Sequence, residues 1–221
     1  MTVLDILIKY HDGFLQGLAV TLQLSLIIWI FGMGLGTALG MAGAKYKLEI
    51  GLPTRLFSFF LSGIPLLVFL FWLHYPVQAM FNVVIDPFIT AAFTLTIVNI
   101  VAVADLVRTT VDDFPKQYIL AARVCGMDSH KTFWRIQLPI MFRQMLPALL
   151  MLQVTMMHTT LFASLISVEE IFRVAQRINA SIYKPVEIYT ALGVFFLAVS
   201  LPINGFALLM KAKFTRNLSE S

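Results

Sequence analysis

The 221-residue chain is 59% hydrophobic and only 13% charged, with 19 Phe and 11 Met and a mean hydropathy of +0.84. Soluble domains carry about 45–50% apolar and about 25% charged residues, so this composition excludes an ordinary soluble enzyme. The net charge of +4 would point to nucleic acid only if the basic residues clustered on a soluble face; they lie beside apolar runs instead, so the charge reads as membrane topology. The single cysteine, Cys125, permits no intrachain disulfide and no Cys-built metal site.

At the N-terminus, Val3, Leu4, Leu7 and Ile8 predict a short interfacial helix. Asp5, Lys9 and Asp12 stand where a removable signal peptide would have its basic start. Five stretches without Asp, Glu, Lys or Arg follow, at 13–44, 56–85, 87–104, 144–168 and 188–210. A helix needs roughly 20 apolar residues to cross a bilayer, and runs of this length without strict alternation argue for helices over a closed barrel. The expectation is an all-α integral membrane protein of five transmembrane helices over 13–44, 56–80, 87–107, 137–168 and 188–210, with a loop over 108–136. Five spans put the termini on opposite faces. Lys9, Arg173, Arg177 and Lys184 fall on one face and the other twelve Lys and Arg residues on the other, so the N-terminus is expected outside and the C-terminus in the cytoplasm.

In the first span Gly32, Gly36, Gly40 and Gly43 make a small-residue ridge suited to close helix contact, either within the subunit or at a dimer interface. At the end of the third span, Asp105 and Arg108 stand three residues apart and can pair near the cytoplasmic surface. That pair is either a surface ion pair or a gate that breaks during a working cycle. The loop beyond it has a helix start at Pro115, apolar Ile119, Leu120, Ala122 and Val124, a helix stop at Gly126, and a cap at Asp128 or Ser129. The pattern predicts helix, tight turn, helix.

Leu120, Ala121, Ala122, then Gly126, then Ile136, Gln137, Leu138 and Pro139 resemble the cytoplasmic loop of ABC-importer permeases, with the spacing kept throughout. Further residues are similar to the polar amino acid branch of that family, the histidine, glutamine, glutamate and arginine permeases. They are Thr21-Leu22 with Ser25, Gly36, Gly40, the run Gly63-Ile64-Pro65-Leu66-Leu67-Val68, Arg108, Pro115-Lys116, Arg123, Arg143, Leu146-Pro147 and Glu170. The resemblance implies a type I importer permease in a bacterial cytoplasmic (inner) membrane, paired with a second copy or a paralogue. It implies an extracytoplasmic solute-binding protein that delivers a polar amino acid, and a docking helix and turn at Leu120, Ala121, Ala122, Arg123, Gly126 and Met127 for a separate ABC ATPase. It also implies that ATP and Mg belong to that ATPase, with no cofactor, metal or catalytic residue in this chain. The sequence departs from the family at Leu120, where a Glu is usual, and at Gln117-Tyr118, where Gly-Gln is usual. No phosphate loop exists around Lys131-Thr132, because His130 and Cys125 occupy the positions that need Gly.

In the fourth span Gln153, Thr160, Ser164 and Ser167 recur at helical intervals, with Thr155 and His158 on a neighbouring face, and Asn99 on the third span is a candidate to face the same space. Polar side chains inside a membrane face the protein interior or a cavity. Asn99, Gln153, Thr155, His158, Thr159 and Thr160 are therefore candidates to bind an amino acid, with interhelical packing as the plainer alternative. Where the family has Lys-Asp-Thr-Ser-Leu, this chain has His158, Thr159, Thr160, Leu161 and Phe162. A permease for another small solute, a non-transporting assembly subunit and a membrane enzyme using His158 and Asp105 are the rival functions.

Overall fold

The computed structural model describes residues 2–219, with side chains described for residues 2–213. Arg216, counted above among the cytoplasmic cations, lies outside the described side chains. Helices dominate throughout, and no strand occurs among the described residues. The first, α1 (Val3–Lys9), starts in a capping box in which Thr2 and Asp5 satisfy each other's backbone N–H at 2.7 and 3.3 Å. Leu4 and Ile8 are exposed as an interfacial helix requires, but Ile6 is buried in a core cluster with Ile171, Val174, Ile188 and Leu192. The short helix is thus anchored to the protein as well as to the interface.

Among the described residues four helical stretches are long and apolar enough to cross a bilayer: α2 (His11–Lys45), α6 (Pro87–Asp112), Ser129–Ile166, and Pro185–Lys213 of α11 (Pro185–Ser219). The second apolar run is different. It forms α3 (Leu52–Ser62) and, after a break, α4 (Leu66–Trp72), which passes through a π-helical turn (Leu73–Val77) into α5 (Gln78–Met80). The two limbs meet at 97°, so the run is one broken span or a re-entrant pair rather than the single helix expected over 56–80. Gly63 ends α3 and Pro65 opens α4; proline disfavours helical backbone in the residue before it, which here is Ile64.

Proline also explains the widened turns. The π-helical turns Lys47–Gly51 and Phe133–Gln137 end two residues before Pro53 and Pro139, and Leu73–Val77 contains Pro76. A proline has no N–H to give the carbonyl four residues back, and the ladder shifts to i, i+5 pairing nearby.

The glycine ridge settles inside the chain. It packs α2 on α6, where a Cβ at Gly36 would lie 2.8 Å from the Ile100 carbonyl oxygen and one at Gly40 would lie 2.6 Å from that of Ala104. In lipid no hydrophobic drive pulls helices together, so close backbone approach supplies the packing that holds them. Gly43 meets Gly51 of the turn that follows α2. Around this seam, Leu24 and Ile28 of α2, Leu70 of α4, Ala91 and Leu95 of α6 and Met156 of α9 (Leu138–Thr159) form one buried cluster.

A further element, α10 (Ile171–Ile182), lies where only a loop was expected between the fourth and fifth runs. Ile171, Val174, Ala175 and Ile178 form its buried face, the spacing of an amphipathic helix. Glu170 caps it, accepting from Phe172 N at 3.0 Å and Arg173 N at 2.8 Å, and Thr21 Oγ accepts from Ile171 N at 3.1 Å. Gly17 of α2 gives this helix room, since a Cβ there would lie 2.9 Å from the Ile171 Cα.

Candidate functional site

The candidate polar residues fall into two groups. Asn99 of α6 is fully buried and donates through Nδ2 to the Ile28 carbonyl and to Gln153 Oε1, both at 2.9 Å. Gln153 of α9 returns a bond from Nε2 to Asn99 Oδ1 at 3.3 Å, and the Trp29 indole donates to the Gln153 carbonyl at 3.0 Å. These bonds join α2, α6 and α9 at one level, opposite Gly32, where a Cβ would lie 2.2 Å from Asn99 Nδ2. Gln153 also borders a cleft of about 510 Å³ whose other walls include Met33, Met41, Met141 and Met145, an apolar setting for any polar solute. Thr159 and Thr160 turn back to their own helix, donating to the Met156 and Met157 carbonyls at 2.7 Å each.

Thr155 and His158 stand apart from that interior. Both are exposed, and with Met151 and Phe162 they form a stripe at four- and three-residue spacing along one open face of α9 and its continuation. The Thr155 hydroxyl bonds the Met151 carbonyl at 3.1 Å. His158 Nε2 lies 2.8 Å from Ser200 Oγ of α11, and the edge of Phe196 packs on its ring with centroids 5.7 Å apart. Ser200 is a partner that the sequence did not suggest, because 42 residues separate it from His158. Below this stripe the helix tightens to a 3-10 helix (Thr160–Ile166) and stops at Ser167, which adopts a left-handed conformation with φ 72°.

Asp105 and Arg108 form the expected ion pair, at 2.7 Å, with Arg108 only 12% exposed. Ser58 of α3 donates to the other oxygen of Asp105, another contact that spacing along one helix could not show. The same carboxylate borders a cleft of about 340 Å³ with Ser58, Ser62, Phe69 and Val101. Two helical turns farther on, Asp112 receives Lys47 at 3.3 Å and Arg55 at 3.1 Å. The first limb of the broken run is therefore tied to the end of α6 at two levels.

Beyond α6 the chain forms α7 (Lys116–Val124), a turn, and α8 (Ser129–Thr132), which runs through the π-helical turn at Phe133–Gln137 into α9. Gly126 has φ 75°, the left-handed backbone glycine tolerates best. Its N–H and that of Met127 reach the Arg123 and Ala122 carbonyls at 2.9 and 3.0 Å and close α7. Asp128 caps α8, accepting from Lys131 N at 2.7 Å, and that bond holds its carboxyl below the usual carboxylate range. The result is a short, doubly capped helix–turn–helix. Ala122 faces inward, whereas Leu120, Ala121, Arg123 and Gly126 are exposed and Met127 is half-buried.

Comparison with known proteins follows this geometry closely. The L-cystine transport system permease TcyB of Bacillus subtilis is 36% identical over 169 residues, covering 74% of this chain and 70% of the relative. The octopine permease OccM of Rhizobium radiobacter is 30% identical over 198 residues, covering 84% and 79%. The histidine/lysine/arginine/ornithine permease HisQ of Salmonella typhimurium is 27% identical over 215 residues, covering 91% and 92%. Among solved structures, an amino acid ABC transporter crystallised with histidines superimposes with a TM-score of 0.85 over 96% of this chain and 99% of the other, at 22% identity. The inward-facing MetNI methionine ABC transporter gives 0.71 over 93% and 98%, at 16% identity. Residues 32–216 match the family described as "Binding-protein-dependent transport system inner membrane component". The chain belongs to this family of inner-membrane transport permeases.

Proposed function

We propose that this chain is the membrane-spanning subunit of an ATP-driven importer that takes up a polar amino acid. The observation that carries the reading is the end-to-end likeness to permeases named for amino acid uptake, HisQ and TcyB among them. In this reading the N-terminus lies outside and the C-terminus in the cytoplasm. The twelve-to-four distribution of Lys and Arg supports that orientation. The membrane pathway is completed by a second copy or a paralogue, and an extracytoplasmic binding protein delivers the substrate. A separate ABC ATPase binds ATP and Mg and docks on Leu120, Ala121, Ala122, Arg123, Gly126 and Met127.

Of the six candidate substrate residues, Thr155 and His158 hold the open face and contact the solute. Their imidazole and hydroxyl groups suit the ammonium and carboxylate of an amino acid. Asn99 and Gln153 lie buried behind them and fix α6 to α9 by bonding each other, and Thr159 and Thr160, off that exposed stripe, turn to carbonyls of their own helix. Asp105, Arg108 and Ser58 form a polar link between α3 and α6 that opens during the cycle as a gate. A rigid capped helix at the loop transmits the ATPase's movement to α6 and α9, where a slack loop would absorb it.

Reconstitution of the permease, its ATPase and its binding protein in liposomes tests the function: ATP-dependent accumulation of a polar amino acid is expected. Accumulation of none of the twenty amino acids, with the ATPase active, refutes the reading. Orientation has its own reporter in the exposed single cysteine, Cys125. A membrane-impermeant maleimide is expected to label it in inside-out vesicles and to leave it unlabelled in intact cells; the reverse pattern inverts the topology.

A further inference from the structure

The cleft of about 510 Å³ between α2, α6 and α9 lies on the far side of α9 from the stripe proposed to face solute. Its floor on α9 is Met145 and Leu149, which are buried in one cluster with Val103 and Val107 of α6. The solute stripe runs instead through Met151, Thr155 and His158. Leu149 and Met151 are two residues apart, about 200° round a helix, so the two faces stand back to back. On the opposite wall Trp29, Met33, Thr37 and Met41 follow one another every four residues along one side of α2.

The walls suit a hydrocarbon chain. The Trp29 indole donates to the Gln153 carbonyl at 3.0 Å, the Gln153 amide is paired with Asn99, and the Thr110 hydroxyl donates to the Leu106 carbonyl at 2.8 Å. With these groups satisfied, the surface on offer is mainly Met, Leu and Val, and methionine adapts readily to an irregular apolar occupant. From Trp29 to Met41 the helix rises about 18 Å, against about 15 Å for half of a bilayer's hydrocarbon core. The cleft thus runs the depth of one leaflet, from the level of the Asn99–Gln153 pair to the end where α2 stops and α9 begins. At that end Lys45 continues the α2 stripe one turn beyond Met41, and Arg143 stands three and seven residues before the lining Leu146 and Leu150. Both cations are exposed, and neither has an acidic partner among the described residues. Asp112 is already taken by Lys47 and Arg55. Basic groups at the mouth of a pocket between membrane helices suit an anionic lipid head group, and a long Arg stem can carry its charge out to the interface.

We propose that this cleft holds an acyl chain of an anionic phospholipid, drawn from the leaflet on the side of the loop over 108–136, with the lipid phosphate at the mouth on Lys45 and Arg143. The bound chain fills the gap between α2 and α9 and braces α9 on the side away from solute. Left unfilled, the groove would forfeit dispersion contacts along its whole lining.

The test uses the full-length tagged permease, purified in mild detergent with whatever subunits accompany it and reconstituted in phosphatidylcholine vesicles. The vesicles contain a minor fraction of phosphatidylglycerol or phosphatidylcholine carrying a photoreactive diazirine on an acyl chain. Labelled peptides are mapped by mass. Label is expected on the α2 segment 33–41 and the α9 segment 141–150, at least threefold stronger with the phosphatidylglycerol probe. Thr37→Phe and Met41→Phe fill the groove from half-buried positions and should lower that label at least threefold, with label elsewhere on the chain unchanged. Lys45→Glu combined with Arg143→Glu should abolish the preference for phosphatidylglycerol, whereas Arg143→Lys should keep it. Elution of each variant as wild type in gel filtration confirms that it is folded.

Equal labelling of the wild type by the two probes, or a preference that survives the double charge reversal, means ordinary contact with the bilayer and overturns the proposal. Label elsewhere on the chain but none in the cleft means that protein, such as a second copy, covers it, and the proposal also fails. Loss of the cleft label on adding a transported amino acid would assign the cleft to the solute path and overturn the lipid site while the transport reading stands.

Discussion

The seam between α2 and α6 and the outward face of α7 use surface in opposite ways. Along the seam, Gly32, Gly36 and Gly40 bring two backbones into contact, and the polar groups at its centre, Asn99 and Gln153, bond to each other. On α7, Leu120 and Val124 stay exposed and Lys116 and Arg123 have no acidic partner among the described residues. The first region has used up its interaction capacity inside the chain; the second has kept it. A substitution in the seam should therefore be felt as stability, and one on the face as loss of a partner.

The largest expected effect breaks the seam. Gly36→Leu pushes side-chain atoms into Val103 and the Ile100 carbonyl and should destabilise at or above the upper end of the roughly 1–3 kcal/mol typical of overpacked sites. Thermal unfolding in detergent and the monodisperse fraction are the measurements, and a stable, well-folded variant would refute the seam as the main packing contact. Next comes the turn: Gly126→Val forces a branched residue into a left-handed conformation at a cost of about 1–2 kcal/mol. That cost should fall on the loop alone, so ATPase retention and uptake drop while the melting temperature of the spans barely moves.

A smaller loss sharpens the seam's polar centre. Asn99→Leu and Gln153→Leu each strand the other's amide, and hydrogen bonds between membrane helices are worth about 0.6–1.7 kcal/mol. A double-mutant cycle should show that the pair costs less than the sum of the singles; strict additivity would mean that the two amides act independently. The smallest stability change is expected for His158→Ala, about 0.6 kcal/mol for the lost bond to Ser200. In the proposed role it raises the KM for uptake several-fold with the complex intact. An unchanged KM removes His158 from the solute path.

Much of this division was visible in the residues themselves. The charge-free runs marked the long helices because a bilayer demands about 20 apolar residues in series. Pro115, Gly126 and Asp128 announced the helix–turn–helix through backbone rules that act within a few residues. The helix α10 was also legible in Ile171, Val174, Ala175 and Ile178, but the charges of Arg173 and Arg177 made the segment read as a water-exposed loop. The bend at Gly63-Ile64-Pro65 was signalled by its glycine and proline, although the uncharged run around them suggested one continuous span.

Sequence by itself determined the class of molecule, the apolar runs, the capped loop and the family resemblance, because each depends on local composition or on spacing along one helix. Tertiary structure alone decided which of the spaced polar residues meet. It joined Asn99 to Gln153 across 54 residues, Ser58 to Asp105 across 47 and His158 to Ser200 across 42. It also turned the glycine ridge toward α6 within the chain. Periodicity tells which residues share a face, but the neighbour that face meets is chosen by the packing of distant helices, where backbone approach and the pairing of buried amides are settled together.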